Sequence, residues 1–323
     1  MLKSVYAQTD ADHDIDASSA EAGVQVIARG GDDNIVGSDH NDDIRGGDGN
    51  NTLDGGDGAD RIYAHKGGTD DISGGAGNDY IYIDGGDKVD GGDGTDRVYT
   101  YGEDDISLNM GDANVESVYA QTDADHDIDA SSSDDAVVVR TKDGDDEITG
   151  SDYNDNLGGG AGNDVIEGGA GNDYVYGQDG NDSISGGDGD DRMYGGSGDD
   201  NLSGGDGNDR MYGESGDDTL VIGEGNDIAY GGDGSDLFIL DTLDGNDVVH
   251  GGTGEGWSDI LQIDVAPGDT GDSDNPWSIE VNGESVEFSI ADGGIDMGTD
   301  ASGVISFADG TEVAFDGVES IQW

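Results

Sequence analysis

One apolar side chain returns every nine residues along much of this chain. From Thr141 to Ile239, eleven nonapeptides follow one another without a slip in register. Their eighth position is apolar throughout: Ile148, Leu157, Ile166, Val175, Ile184, Met193, Leu202, Met211, Leu220, Ala229 and Phe238. The last three residues of each unit alternate outward, inward, outward, as a short strand must. The six before them follow GGxGxD, as in Gly168 to Tyr176 (GGAGNDYVY) and Gly186 to Tyr194 (GGDGDDRMY). Glycines at those places allow positive φ or close backbone approach. Each unit is therefore a loop plus a short strand. One inward side chain per unit cannot form a core alone, but stacked units can, because every eighth residue then points at the same axis.

The ninth position sets the number of units per turn. Tyr176, Tyr194, Tyr212 and Tyr230 recur at intervals of 18, with Ser185, Ser203 and Val221 between them. RMY repeats at Arg192–Tyr194 and Arg210–Tyr212, again 18 apart. Two faces of different composition follow, so one turn comprises two nonapeptides. At about 4.8 Å per stacked strand, the five and a half turns of the array would rise roughly 26 Å. The whole chain would form a rod several times longer than wide.

A looser array precedes the regular one, from about Ala28 to Ser107. Ile35, Ile44, Ile62, Ile81 and Val98 hold its eighth position, and units near His65 and Asp84 have gained or lost a residue. SVYAQTDADHDIDASS occurs identically at Ser4–Ser19 and Ser117–Ser132, an offset of 113. We expect two related modules, 1–113 and 114–256, followed by a β-rich cap over 257–323. The tail from Trp257 lacks the nonapeptide and carries both prolines. The expected fold is all-β: a right-handed parallel β-roll or β-helix solenoid with that C-terminal cap.

Composition sharpens the picture. The chain has 323 residues, with 64 Asp and 13 Glu against 11 Lys+Arg, giving a net charge of −66. Gly and Asp are poor helix formers, which argues against a helical bundle or a Rossmann-type enzyme. The charge excludes nucleic acid as a partner, because phosphate needs Lys and Arg, and excludes an anionic membrane surface for the same reason. No stretch has the length and apolarity of a membrane span. There is no Cys, so no disulfide framework. Met1 to Asp14 shows no apolar stretch of signal-peptide length, compatible with a cytosolic protein or with export that uses no N-terminal signal. With 32% apolar residues, such a chain is disordered unless something neutralises it.

A multivalent cation is the natural candidate. Loops at the same place on successive turns bring aspartates and carbonyls within a few ångströms, and cations turn the repulsion into coordination. Calcium accepts six to eight oxygens in flexible geometry, magnesium demands a tighter octahedron, and zinc prefers His or Cys.

GGxGxD followed by an apolar strand residue resembles the repeats-in-toxin (RTX) calcium-binding family. The resemblance covers both arrays. It implies a Ca²⁺-loaded parallel β-roll, unfolded at low calcium, and type I secretion through an uncleaved C-terminal signal. It also implies that the sixth-position aspartates are Ca²⁺ ligands together with loop carbonyls. In the first array these are Asp33, Asp42, Asp60, Asp79 and Asp96. In the second they are Asp146, Asp155, Asp164, Asp173, Asp182, Asp191, Asp200, Asp209, Asp218, Asp227 and Asp236. That corresponds to on the order of ten or more ions. Asn51 breaks the pattern, and with the irregular units near His65 and Asp84 it marks sites expected to be weak or metal-free. Phe307–Trp323 (FADGTEVAFDGVESIQW) is similar to family C-termini.

Other features carry two readings each. Asp10-x-Asp12-x-Asp14-x-Asp16 and Asp123-x-Asp125-x-Asp127-x-Asp129 look like the start of an EF-hand loop, but the expected glycine is Ile15 or Ile128. A strand with Asp outward and Ile inward fits better, with extra calcium beside it as an open alternative. The tyrosine stripe reads as a stabilising same-face ladder, or as a sugar-binding or self-assembly surface. Arg192 and Arg210 read as balancing local acid, or as binding an anionic polysaccharide. His13 and His126 read as solvated. No HExxH, GxSxG or Cys nucleophile is present, and a non-enzymatic protein is expected. The expected function is a secreted, calcium-folded structural component of a cell surface or matrix, with end-to-end self-association. The alternatives are a calcium-binding accessory module of an extracellular polysaccharide-modifying enzyme or protease, and an adhesin fragment.

Overall fold

The computed structural model describes residues 3–64, 66–242, 244–252, 258–263, 277–286, 293–307 and 310–323. His65, Trp257, Pro267 and Pro276 lie outside the described residues. Contacts divide the chain into two compact units, Met1–Asp152 and Tyr153–Trp323. Each is a parallel solenoid of short strands, and no helix occurs among the described residues.

In the second unit the turn is two nonapeptides long. Tyr174–Asp179 pairs in parallel with Arg192–Ser197, which pairs with Arg210–Ser215 and then with Ile228–Asp233. Every one of these registers is 18 residues. The other face runs Val165–Ala170, Ser183–Asp188, Asn201–Asp206, Thr219–Ile222, Leu237–Leu240 and Ile260–Ile263. Between the faces lie the eighth-position side chains. From Ile166 to Phe238 they are 0–2% exposed. Burying each contributes about 1.5–3 kcal/mol for the larger ones, so a core one side chain wide accumulates only by stacking.

The first unit repeats the plan with irregular spacing. One face stacks Lys3–Tyr6, Val24–Ile27, Asp43–Arg45, Arg61–Tyr63, Tyr80–Ile83, Arg97–Thr100, Ser117–Ala120 and Val138–Arg140. The register steps are 17 to 21 residues, so insertions are absorbed in loops while the strands stay aligned. The two copies of the duplicated segment meet different surroundings. Val118 of the second copy is fully buried, whereas Val5 of the first is 38% exposed.

The turn glycines are required sterically. Gly171 has φ +116°, and a Cβ there would lie 2.6 Å from the Tyr153 carbonyl carbon one turn back. The tail forms the expected β-rich cap. Gly294–Phe307 is antiparallel to Trp277–Val281 and to Glu312–Gln322, and Glu312–Gln322 also pairs in parallel with the strands Asn246–His250 and Ile260–Ile263.

Candidate metal centre

All sixteen sixth-position aspartates are buried, none more than 4% exposed. They are held by one repeated bond. The N–H of each donates to Oδ1 of the equivalent residue one turn on. In the second unit this links Asp155 to Asp173, Asp191, Asp209, Asp227 and finally Asp247, at 2.7–3.0 Å. On the other face it links Asp164 to Asp182, Asp200, Asp218, Asp236 and Asp259, at 2.8–3.0 Å. Glu319 ends this ladder, its Oε2 accepting from the Asp259 N–H at 2.7 Å. In the first unit Asp42, Asp60, Asp79 and Asp96 form the same ladder, ended by Glu116.

Oδ1 is thereby satisfied and Oδ2 is not. Oδ2 of Asp33, Asp60, Asp79, Asp96, Asp173, Asp182, Asp191, Asp200, Asp209, Asp218, Asp227 and Asp236 is buried with no hydrogen-bond partner. Except at Asp33 and Asp227, whose loops begin with Ala28 and Ile222, it faces the first glycine of its own loop. A Cβ at Gly168 would lie 2.7 Å from Asp173 Oδ2, and one at Gly204 2.6 Å from Asp209 Oδ2. A Cβ at Gly186, beside the Asp191 carboxylate, would lie 2.6 Å from the Gly204 carbonyl of the next turn. A carboxylate oxygen and a glycine carbonyl thus flank one small space that only glycine leaves open.

The electrostatics match an anion lacking its counter-charge. Burial, opposed by the backbone hydrogen bond and reinforced by neighbouring carboxylates, pushes Asp60 and Asp227 up to about 8. The same causes push Asp191, Asp200 and Asp236 up to about 7. Burial without partners costs several kcal/mol per ion. A cation against Oδ2 removes that penalty. Among the described residues no three His, Asp or Glu side chains converge on one point. The donors are one carboxylate per loop plus main-chain carbonyls, an all-oxygen set that fits calcium and not zinc.

The irregular positions vary the theme. Asn51 keeps the ladder, its Oδ1 accepting from the Asp33 N–H at 3.0 Å. Its Nδ2 donates to Asp70 Oδ1 and to the Gly49 carbonyl, so an N–H group fills the place of the free oxygen. Near Asp84 the arrangement changes: Asp87 Oδ2 accepts from the Asp84 N–H at 3.0 Å, while Asp84 Oδ1 is buried without a hydrogen-bond partner. Asp70, in the unit beside His65, has a buried Oδ2 without a partner and joins the candidates. The nonapeptide frame missed Asp70, Asp87, Asp247 and Asp259. The shorter signal Asp-x-apolar (Asp70-Asp71-Ile72, Asp247-Val248-Val249, Asp259-Ile260-Leu261) finds them.

His13 and His126 correct the solvated reading. Each occupies the sixth position of its turn. The His126 N–H donates to Asp146 Oδ1 and its imidazole Nδ1 lies 3.3 Å from the same oxygen, with the residue 2% exposed. Burial acts to lower its pKa, but Asp146 and the Ala124 carbonyl outweigh it and hold the ring above its ordinary value. An imidazolium there stands beside the next turn's carboxylate. The repeated aspartates around it form strand and bend, with Ile128 fully buried and Asp127 outward, as the strand reading expects.

A second ladder lies at the fifth position. Oδ1 of Asn172 accepts the Asp190 N–H, Asp190 accepts from Asn208, and Asn208 from Asn226, at 2.8–3.0 Å. It explains the Asn and Asp of that position without metal. The tyrosines also stack. Tyr176, Tyr194, Tyr212 and Tyr230 have ring centroids 4.9–5.0 Å apart, and His250 extends the column at 4.5 Å. Side-chain and backbone hydrogen bonds from Asn208, and after them the charge of Arg210, hold Asp190 below the usual aspartate value. Among the described residues neither Arg192 nor Arg210 forms an ion pair, and the Arg192 guanidinium lies 5.8 Å over the Tyr174 ring.

The family model of the RTX calcium-binding nonapeptide repeat (four copies) matches residues 36–67, 66–82, 140–175, 149–184, 158–193, 167–202, 185–220, 212–242 and 221–256. Together these span 36–82 and 140–256, just over half of the chain. No curated protein matches the chain. A solved structure of a hyperactive, Ca²⁺-dependent, β-helical antifreeze protein from an Antarctic bacterium is similar at 19% identity. The match covers 81% of this chain and 87% of that one, with a TM-score of 0.39.

Proposed function

Since the chain belongs to the RTX calcium-binding nonapeptide-repeat family, we propose that it is a secreted, non-enzymatic protein that folds on taking up calcium and serves as a structural component of a cell surface or extracellular matrix. The observation that carries this reading is the file of buried aspartates whose Oδ2 atoms have no partner. Calcium, when bound, supplies the positive charge that these oxygens lack. Asp33, Asp60, Asp70, Asp79 and Asp96 in the first unit would hold it, as would Asp173, Asp182, Asp191, Asp200, Asp209, Asp218, Asp227 and Asp236 in the second. Where a loop begins with glycine, that residue would add its carbonyl. Of the remaining sixth-position residues, Asp146, Asp155 and Asp164 are buried like the others, whereas Asp42 departs from the expectation, its Oδ2 accepting from the Ser38 N–H at 2.5 Å and its Oδ1 from the Ser38 hydroxyl at 3.0 Å.

Binding and folding are one event in this scheme. A site exists only when two successive turns are stacked, because carboxylate and carbonyl come from different turns. Each ion therefore helps its neighbour, and uptake is cooperative. Outside the cell, where calcium is abundant, the chain folds; before export it stays unfolded and transportable. The matched repeats take up just over half of the chain, which suits a structural role.

Electron microscopy and sedimentation of the protein in millimolar calcium test the role. Ordered layers, filaments or large particles are expected. A compact monomer at every concentration would contradict the structural role and favour an accessory module. Export in a host with and without a type I transporter tests secretion, and transporter-independent release would contradict that route.

A further inference from the structure

The tyrosine face has a composition that calcium binding does not explain. In the first unit its outward columns hold Arg61, Tyr80 and Arg97, and beside them Arg45, Tyr63, Tyr82, Tyr99, Tyr119 and Arg140. In the second they hold Tyr174, Arg192 and Arg210 beside Tyr176, Tyr194, Tyr212, Tyr230 and His250. The sequence contains seven arginines, and six lie here. The opposite face of the first unit presents Asp14, Asp16, Asp54, Asp71, Asp90 and Asp127. In a chain with 77 acidic residues, these arginines lie on the tyrosine face of their own unit.

We propose that in each unit this face binds an extended acidic polysaccharide, a polyuronate-type chain, along the columns. Four arginines are available for it. Arg61, Arg97, Arg192 and Arg210 form no ion pair among the described residues. Instead Arg61 and Arg97 lie 5.8 and 5.3 Å over the Tyr80 ring. A guanidinium held by a ring still offers its fork of N–H donors to a carboxylate. The tyrosine rungs repeat every 4.9–5.0 Å, comparable to the advance of one pyranose residue along an extended chain. Two depressions in the first unit carry the same chemistry. One, of about 390 Å³, is lined by Gln25, Arg61 and Tyr80 together with the carboxylates of Asp42 and Asp43, and another, of about 290 Å³, by Arg45, Tyr63 and Lys66. The ring faces are already spent on one another, so bases could not stack there. Ring edges remain for contact with the sugar.

The test uses the calcium-loaded full chain at fixed free calcium, with short oligogalacturonate and a neutral maltooligosaccharide of the same length, measured by calorimetry. The acidic oligosaccharide is expected to bind and the neutral one not. The fourfold variant Arg61→Gln, Arg97→Gln, Arg192→Gln, Arg210→Gln is expected to keep its calcium-dependent circular dichroism and to bind about tenfold more weakly or worse. Should it fail to fold, the pair Arg192→Gln and Arg210→Gln carries the same test. Full binding by the variant would mean that calcium merely bridges two polyanions, and would overturn the proposal. So would no binding by the parent protein, or a variant whose only change is altered self-association, which would make the face a contact between copies.

Discussion

The N–H of Asp191 donates to Oδ1 of Asp209, 2.8 Å away and one full turn on, while Oδ2 of Asp209 is buried without a partner. One side chain thus does two jobs. Oδ1 stitches successive turns together, and Oδ2 is left for a cation. Asp209→Asn separates them, because the amide keeps the acceptor and replaces the free oxygen by N–H₂. The variant is expected to fold at saturating calcium and to bind fewer ions. Asp191→Ala with Asp209→Ala removes both jobs and should lower affinity and cooperativity together. Equilibrium dialysis reads the stoichiometry, and unchanged binding in the double variant would sink the ligand assignment.

Asn51 is the natural counterpart of that substitution. Its Nδ2 donates to Asp70 Oδ1 and to the Gly49 carbonyl, closing the unit without metal. Asn51→Asp should therefore add a site. In calcium the variant is expected to bind more ions than the parent; in chelator it should be less ordered, since another carboxylate joins the stack. An unchanged ion count would show that the loop, not the side chain, decides occupancy.

Acidity should partly replace calcium. The folded carboxylates of Asp60 and Asp227 are raised to about 8, and those of Asp191, Asp200 and Asp236 to about 7, above the ordinary aspartate value in an unfolded chain. The folded state then binds more protons than the unfolded one, and stability falls as pH rises. The contribution is fully present below about pH 4 and is lost by about pH 8. In chelator the chain should gain β-structure by circular dichroism as pH drops from 8 to 4. In calcium, apparent affinity should weaken below about pH 7 as protons compete for Oδ2. Equal disorder at both pH values in chelator would argue that the aspartates are not the source of the instability.

Much of this was legible in the sequence because the repeat is strict. Phe238 and Ile166 are buried because they hold the eighth position, and the 18-residue spacing of Tyr176 and Tyr194 gave the turn directly. Residues outside the frame were harder. Asp70 and Asp259 follow insertions that the strands ignore and the loops absorb, so a nine-residue count steps past them. His126 looked like a lone imidazole among carboxylates. Only the stacking of His126 against Asp146 shows that it takes the place of an aspartate in the ladder. The fifth-position Asn and Asp ladder was also hidden, since its bonds join residues 18 apart that differ in identity, as Asn172 and Asp190 do.

Two turns lack the glycine their backbone asks for. Gln178 and Glu214 stand where neighbouring loops have glycine, and both have positive φ, 87° and 77°. A non-glycine residue there costs about 1–2 kcal/mol. Gln178→Gly and Glu214→Gly should each stabilise the calcium-loaded protein by about 1 kcal/mol, after allowance for the greater freedom of glycine in the unfolded chain. The reverse change, Gly196→Ala, should destabilise more, because its Cβ would collide with the Gln178 carbonyl of the previous turn. Urea midpoints in calcium check all three. A loss of stability in both glycine variants would contradict the strain assignment.

The most direct test of calcium-coupled folding is sedimentation velocity of the pure protein, first in a few millimolar calcium and then in excess chelator at neutral pH. We predict a slow, expanded monomer in chelator, and compact particles or larger assemblies in calcium. The same compact species under both conditions would show that the buried aspartates do not need the ion, and would contradict the account.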